Sequence, residues 1–412
     1  MNRNHLLAAA AAVALIPLAM YACGDTRKPA AADAKVDAAP PAKPGAKAAP
    51  AATGGPTLML AEAQFVRGAD NKPKPGPALL TFWAKGATGW SSSTLEDPDS
   101  NVFHKVLPTG DGGFYSIGAE GAFLKKWTKN ADAWTAETLW NPKWEGKFNR
   151  IRDIEVGDVN GDGKDDLVMA THDSGVLAVG SFGADGKLVV TEYRKQADTF
   201  ATPSARNQSS GKSQPGQVIM MKWDGTTLVE SVLDDFVESH AKEILCANVD
   251  GQGPSEFFSV VEAHTEVVDD KPVIKNPVEI RQYTWTGGKV EHKVVATIDD
   301  RQTRFLVPGD FDQDGKLDLV AAAMKTGVYL LTQKGDGTWN ATTIDRNSGG
   351  FEHASYGADL DGDGKLELYV AADDQKELRV YSYNAASKVF DKQVIGPIQK
   401  DTITWNVTSA VF

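Results

Sequence analysis

The chain has 412 residues, two cysteines and a formal net charge of −12. Its apolar fraction of 42% and charged fraction of 24% are those of a folded globular protein and exclude a chain disordered throughout. The acidic balance excludes the basic face that nucleic-acid binding requires, and the length fits either two average domains or one long repeat fold.

Residues 1–22 carry Arg3 and then an apolar run from Leu6 to Ala22, the pattern of a secretory signal peptide rather than a spanning helix. The five residues before Cys23 resemble a bacterial lipobox, which implies a lipidated Cys23 at the mature N-terminus and anchorage to a cell-envelope membrane. Met20 and Tyr21 depart from the usual Leu and small residue, so ordinary cleavage to a soluble periplasmic or secreted protein stays open. Residues 23–56, rich in Ala, Pro and Lys, cannot bury enough apolar surface to fold and read as a disordered tether. The folded part is expected over 57–412. Cys246 falls in a predicted strand, and no disulfide with Cys23 is expected.

The first strands are expected at 57–65, 78–84 and 91–95, with a Pro/Gly-rich insertion at 73–77 and no candidate for an innermost strand. A second group of strands spans 103–139, with turns at 111–113 and 130–132. A third opens on 157–169, G-D-V-N-G-D-G-K-D-D-L-V-M, and ends in a hairpin around the turn 183–186. The fourth is anomalous: 199–202 resembles the end of a second strand and 217–233 makes an outer hairpin, but an inner strand and loop are missing. The fifth starts at 241–247, carries an insertion around 267–277, and closes with the hairpin 278–298.

The stretch 157–169 recurs at 309–321, G-D-F-D-Q-D-G-K-L-D-L-V-A, and at 358–370, A-D-L-D-G-D-G-K-L-E-L-Y-V. Oxygen-bearing side chains stand at positions one, three, five and nine: Asp158, Asn160, Asp162, Asp166; Asp310, Asp312, Asp314, Asp318; Asp359, Asp361, Asp363, Glu367. A glycine at position six permits the turn, and the backbone carbonyls of Lys164, Lys316 and Lys365 at position seven would add ligands. Such hard oxygens suit calcium, about three structural ions in all. An EF-hand is excluded, because position twelve is Met169, Ala321 or Val370 inside a strand-length apolar run. Turn chemistry alone accounts for one such loop; three with the same acid at position nine argue for metal, because a turn alone does not require that acid. A degraded copy, Asn248, Asp250, Gln252 and Glu256, has two carboxylates and is expected not to bind.

These repeats resemble the FG-GAP/VCBS class of β-propeller repeat, over most of the chain from about residue 57. The resemblance implies an all-β propeller of four-stranded antiparallel blades, with each calcium loop joining a first strand to a second. Asp310 and Asp359 are 49 residues apart and Asp158 and Asn248 are 90 apart, close to two such periods. Seven blades are therefore expected, or six if the truncated fourth merges with a neighbour. The segment 401–412 is the expected inner strand of the first blade, pairing the two ends of the chain and removing exposed sheet edges.

Inner strands line a central channel. Counting back six from the first loop ligand gives Arg152, Lys242, Arg304 and His353, a partly basic ring suited to an anionic glycan or peptide carboxylate. Pairing with Asp153, Glu243, Glu352 or Asp300 is the competing reading. Trp223, Trp285 and Trp339 recur beside outer turns and are expected to pack between blades. No catalytic motif is present, and His353 and His240 are the two candidates for a general base. The expected function is a monomeric, exported binding or scaffold module, with an envelope polysaccharide lyase or dehydrogenase and an adhesion or secretion subunit as alternatives.

Overall fold

The computed structural model describes residues 32–33 and 55–412, except 70, 120, 132, 145–148, 172–174, 196–215, 237–238, 240, 253–254, 270, 287–288 and 336. The signal segment, Cys23, nearly all of the tether, the 199–202 strand end and His240 therefore lie outside the described residues. The described residues form strands, turns and bends, with no helix among them.

Six antiparallel sheets follow one another as blades, five of them four-stranded and one, over 151–195, four-stranded with the short strand Ala32–Asp33 added at its outer edge. One is built from Phe114–Ala119 and its neighbours across 102–140. The others span 151–195, 241–298, 303–345 and 355–397, and one joins 56–97 to the C-terminal strand. The second strands explain why the chain stacks in this way. Glu256–Val261, Asp318–Ala323 and Glu367–Ala372 are buried at every position, because each is covered on both faces by adjacent sheets, and so each reads as a near-continuous apolar run rather than an alternation. The cores lie between blades. Phe258, Val260 and Ile280 of one blade pack with Leu319, Ala321 and Leu331 of the next, and Val320 and Leu330 pack with Leu368 and Tyr381 beyond.

Of the two expected counts, seven and six, the described residues form six full blades, the alternative. Gly216–Trp223 and Leu228–Phe236 form a two-stranded sheet alone among the described residues. This hairpin nevertheless fills the space between two blades. Ile219 and Leu228 pack on Val168, Leu177 and Val179, while Val218 and Phe236 pack on Phe257, Val261 and Tyr283. Its last strand also carries a clasp found at two other blade junctions. Asp234 accepts from Arg281 Nη1 at 2.9 Å and Tyr283 Oη at 2.7 Å; Asp345 accepts from Arg379 Nη1 at 3.3 Å and Tyr381 Oη at 2.9 Å; and Asp97 takes Lys125 Nζ at 2.7 Å. The hairpin thus stands as the outer half of a blade.

Thr402–Val411 pairs antiparallel with Pro56–Arg67 and supplies the inner strand of the first blade, as expected. The 73–77 segment is strand rather than insertion. It belongs to Pro73–Gly86 and pairs with Phe65, Val66 and Arg67. Its prolines are tolerated because pairing with Gly89–Asp97 begins only at Ala78, which leaves 73–77 as an edge where no ladder N–H is needed. The insertion after Val261 forms its own hairpin, His264–Val268 with Lys271–Asn276.

Candidate metal loops and channel mouth

In each of the three expected loops, side-chain oxygens cap the loop's own backbone. Asp158 Oδ1 accepts from Gly161 N at 2.7 Å and Asp162 N at 3.1 Å, and its Oδ2 accepts from Gly163 N at 2.8 Å. Asp310 and Asp359 repeat the contact to position six, at 3.0 Å and 2.8 Å. The position-six glycines have φ of 81°, 82° and 83° at Gly163, Gly315 and Gly364, a region that side chains disfavour. Position four is left-handed too, with Gly161 at 77°, Gln313 at 59° and Gly362 at 79°.

Two loops gather their acids. Asp359, Asp361, Asp363 and Glu367 bring one carboxylate oxygen each to within 4.8 Å of one another, and so do Asp310, Asp312 and Asp314. In the 158–166 loop, where Asn160 replaces an acid, three carboxylates do not converge in this way. Burial raises the carboxyl of Glu367, while burial and then Asp314 raise that of Asp312. Asp318 is pushed up to about 7, by burial first and then by Asp312. Asp158 is lowered instead by its backbone donors, Gly163 first. Crowded hard oxygens with lone pairs to spare fit a calcium ion at 310–318 and 359–367.

The position-nine acid has a role that the sequence reading assigned to metal alone. Asp166, Asp318 and Glu367 accept from the backbone N–H of Val159, Phe311 and Leu360 at 3.2, 3.1 and 3.2 Å. Glu256 of the degraded loop does the same for Val249 at 3.0 Å. The turn itself uses this acid, so its recurrence does not by itself argue for an ion.

At the other end of the inner strands a second regularity appears. The ladder skips one residue in five of the six inner strands: His104, Arg152, Lys242, Arg304 and Trp405. His353, just ahead of the sixth, has φ of 57°. Bulges re-aim side chains, and here they form a collar. The count from the loops had located Arg152, Lys242, Arg304 and His353; His104 and Trp405 were missed because their blades carry no acidic loop from which to count.

The collar cations meet carboxylates. Arg152 Nη2 reaches Glu352 Oε2 at 3.0 Å across 200 residues of sequence, and Arg304 Nη1 binds the other oxygen of the same group. Arg304 and Lys242 each stand 4.0 Å from Glu262 Oε1. Of the acids considered from sequence, Glu352 is a direct partner; Asp300 instead caps the backbone of Lys325 and Thr326. Asp153 and Glu155 hold Lys105, and Glu243, raised well above the usual range by burial and then Asp153, lies beside them. Aromatic rings complete the mouth. The Arg152 guanidinium lies 5.1 Å from Trp405 and that of Arg304 4.5 Å from Phe351.

His353 is not placed to act as a base. It is fully buried, its Nδ1 lies 2.6 Å from Ala323 O and its Nε2 2.8 Å from Ser348 Oγ, and burial pushes it down to about 4. Trp339 packs between blades as expected, and Trp223 packs partly so, whereas Trp285 is 54% exposed.

The FG-GAP-like repeat family matches residues 310–370, the segment that holds both converged loops. A solved structure from Bacteroides fragilis, titled as a candidate 6-phosphogluconolactonase, aligns at 15% identity with a TM-score of 0.51, covering 88% of this chain and 100% of that one. A protein from Lactobacillus plantarum aligns at 12% identity with a TM-score of 0.54, covering 86% and 99%. At these identities the likeness is one of fold. No curated protein matches the chain.

Proposed function

Because the chain is a β-propeller carrying an FG-GAP-like repeat, we propose that it works as a calcium-stabilised, non-catalytic binding module at the cell envelope, held there by the tether 23–56 and a lipid on Cys23. The observation that carries this reading is the convergence of Asp359, Asp361, Asp363 and Glu367 on one point. When bound, calcium supplies charge neutralisation and cross-linking of the loop, not chemistry on a substrate. The chain's own residues do the rest. The backbone caps hold the carboxylates inward, and each loop fixes the far end of an inner strand whose near end carries a collar residue.

Extracellular calcium modules bind with Kd of about 10⁻⁴–10⁻³ M, so at millimolar calcium each site adds about 0.4–1.4 kcal/mol by linkage. The test is a calorimetric calcium titration, with melting followed with and without chelator. Binding together with a raised melting temperature supports the reading; no binding would reduce the loops to turns. A leader cleaved before Cys23 and a lipid mass on the mature N-terminus, read by mass spectrometry, would test the anchor.

A further inference from the structure

We infer that the channel collar takes a carboxylated sugar, a uronate, with its acid on Arg152 and its apolar ring face on Phe351. The inference deepens the binding-module reading and rests on it.

Lys242, Arg152 and Arg304 face two carboxylates, Glu262 and Glu352. Arg304 is buried and already shared between Gln302 and Glu352. Arg152 differs. Its side chain is 27% exposed and spends one nitrogen on Glu352, which leaves the rest of a five-donor fork for an incoming carboxylate. The bulge that lifts Arg152 out of its ladder is what presents that fork at the mouth.

Beside it stands an apolar corner. Phe351 is 43% exposed, the largest exposed ring at the mouth, and meets Trp405 at 6.2 Å and 74°. Acceptors are at hand as well: Asp153 and Glu155, which follow Arg152 on the same strand, have side chains 55% and 40% exposed. A peptide carboxylate by itself uses only donors and leaves these acceptors without a role. A uronate needs donors for its acid, acceptors for its hydroxyls and a flat surface for its C–H face, and the collar offers all three.

The test is ligand-observed NMR on the full protein in millimolar calcium, with D-glucuronate, D-glucose and acetate as separate probes. The expected result is half-saturation by glucuronate below about 10 mM, with glucose and acetate each at least about tenfold weaker. Phe351→Ala, at an exposed position, should weaken glucuronate about tenfold. Arg152→Lys keeps a cation on Glu352 but loses the fork, and should weaken it similarly. No glucuronate binding, equal binding of glucose or acetate, or wild-type affinity in both variants would overturn the inference. The calcium-dependent melting shift, measured on the same samples, reports on the binding-module reading independently of these outcomes.

Discussion

The loops 359–367 and 248–256 share two backbone caps and differ in chemistry. In both, the acid at position nine caps the N–H of position two, Glu367 on Leu360 at 3.2 Å and Glu256 on Val249 at 3.0 Å. In both, position three caps position five, Asp361 on Asp363 at 3.2 Å and Asp250 on Gln252 at 2.8 Å. What the degraded loop lacks is charge at positions one and five, where Asn248 and Gln252 stand for Asp359 and Asp363. The shape of the turn and its capacity for an ion are therefore separable, and each has its own residues.

If calcium answers only to converged carboxylates, acids buried elsewhere should answer to protons instead. Glu62, on the strand that pairs with the C-terminal strand, offers the largest expected effect. It is 1% exposed, accepts from Thr81 Oγ1 at 2.5 Å and lies near Asp373. Burial pushes its carboxyl from 4.5 up to about 8, with Asp373 adding to the rise and Thr81 opposing it. The unfolded chain releases this proton near pH 4.5 and the folded chain near pH 8, so stability is lost as pH rises through that window. Glu62→Gln should raise stability at pH 8 by roughly 2–5 kcal/mol and change it little at pH 4.5. Melting curves across pH, with and without chelator, check this. A gain that depended on calcium would break the division between the two kinds of acid.

The next effect separates turn from ion. Glu256→Ala and Glu367→Ala each strip the acceptor from a buried backbone N–H, which costs about 1–3 kcal/mol. Denaturant unfolding in chelator should show the two losses as similar. In calcium the Glu367 variant should lose more. A neutral Glu256→Ala would mean that position nine serves the ion alone, as its recurrence in the sequence had suggested.

Removing a single ion ligand comes third. Asp361→Ala should abolish the part of calcium stabilisation due to its loop, about 0.4–1.4 kcal/mol at millimolar calcium, and cost the chelated protein less than that, because the cap it gives the Asp363 N–H is exposed to water. Thermal melts in both conditions decide it, and an equal loss in chelator would assign Asp361 to the turn.

The pattern of what the sequence showed follows the same division. The loops were legible because their ligands are local, within nine residues, and turn geometry depends on neighbours in the chain. The role of the C-terminal strand was legible from a strand without a partner and a blade without an inner strand. The position-nine acid has a second role, as a backbone cap, that the sequence did not show because a cap and a metal ligand demand the same residue type. The collar was half legible. Counting back from acidic loops found Arg152, Lys242, Arg304 and His353, but a bulge is a property of two strands together, so His104 and Trp405 gave no local signal. The Arg152–Glu352 pair bridges 200 residues, a contact that only the stacking of blades creates. Spacing favoured seven blades over the alternative of six for a related reason: the hairpin 216–236 keeps the outer-strand Asp234 clasp, so the chain spacing marks a full repeat where one half is present among the described residues.

The smallest effect is a gain. If positions one and five alone separate the two loops, the double variant Asn248→Asp with Gln252→Asp should convert the degraded loop into a calcium site. The described part of the backbone matches: Gly251 at position four is left-handed at 69°, as Gly362 is at 79°, and the caps from Asp250 and Glu256 are in place. Without an ion, the two added charges repel Asp250 and Glu256 and should lower stability slightly. With millimolar calcium the loss should reverse to a gain of up to about 1 kcal/mol, and calorimetry should count one more ion than in the parent. A variant destabilised equally in calcium and in chelator would show that something besides those two side chains distinguishes the loops. The first place to look would be the cleft of about 450 Å³ that Asn248 and Asp250 share with Lys316 and Gln333 of the next blade, where Gln333 Nε2 already donates to Val249 O at 2.6 Å.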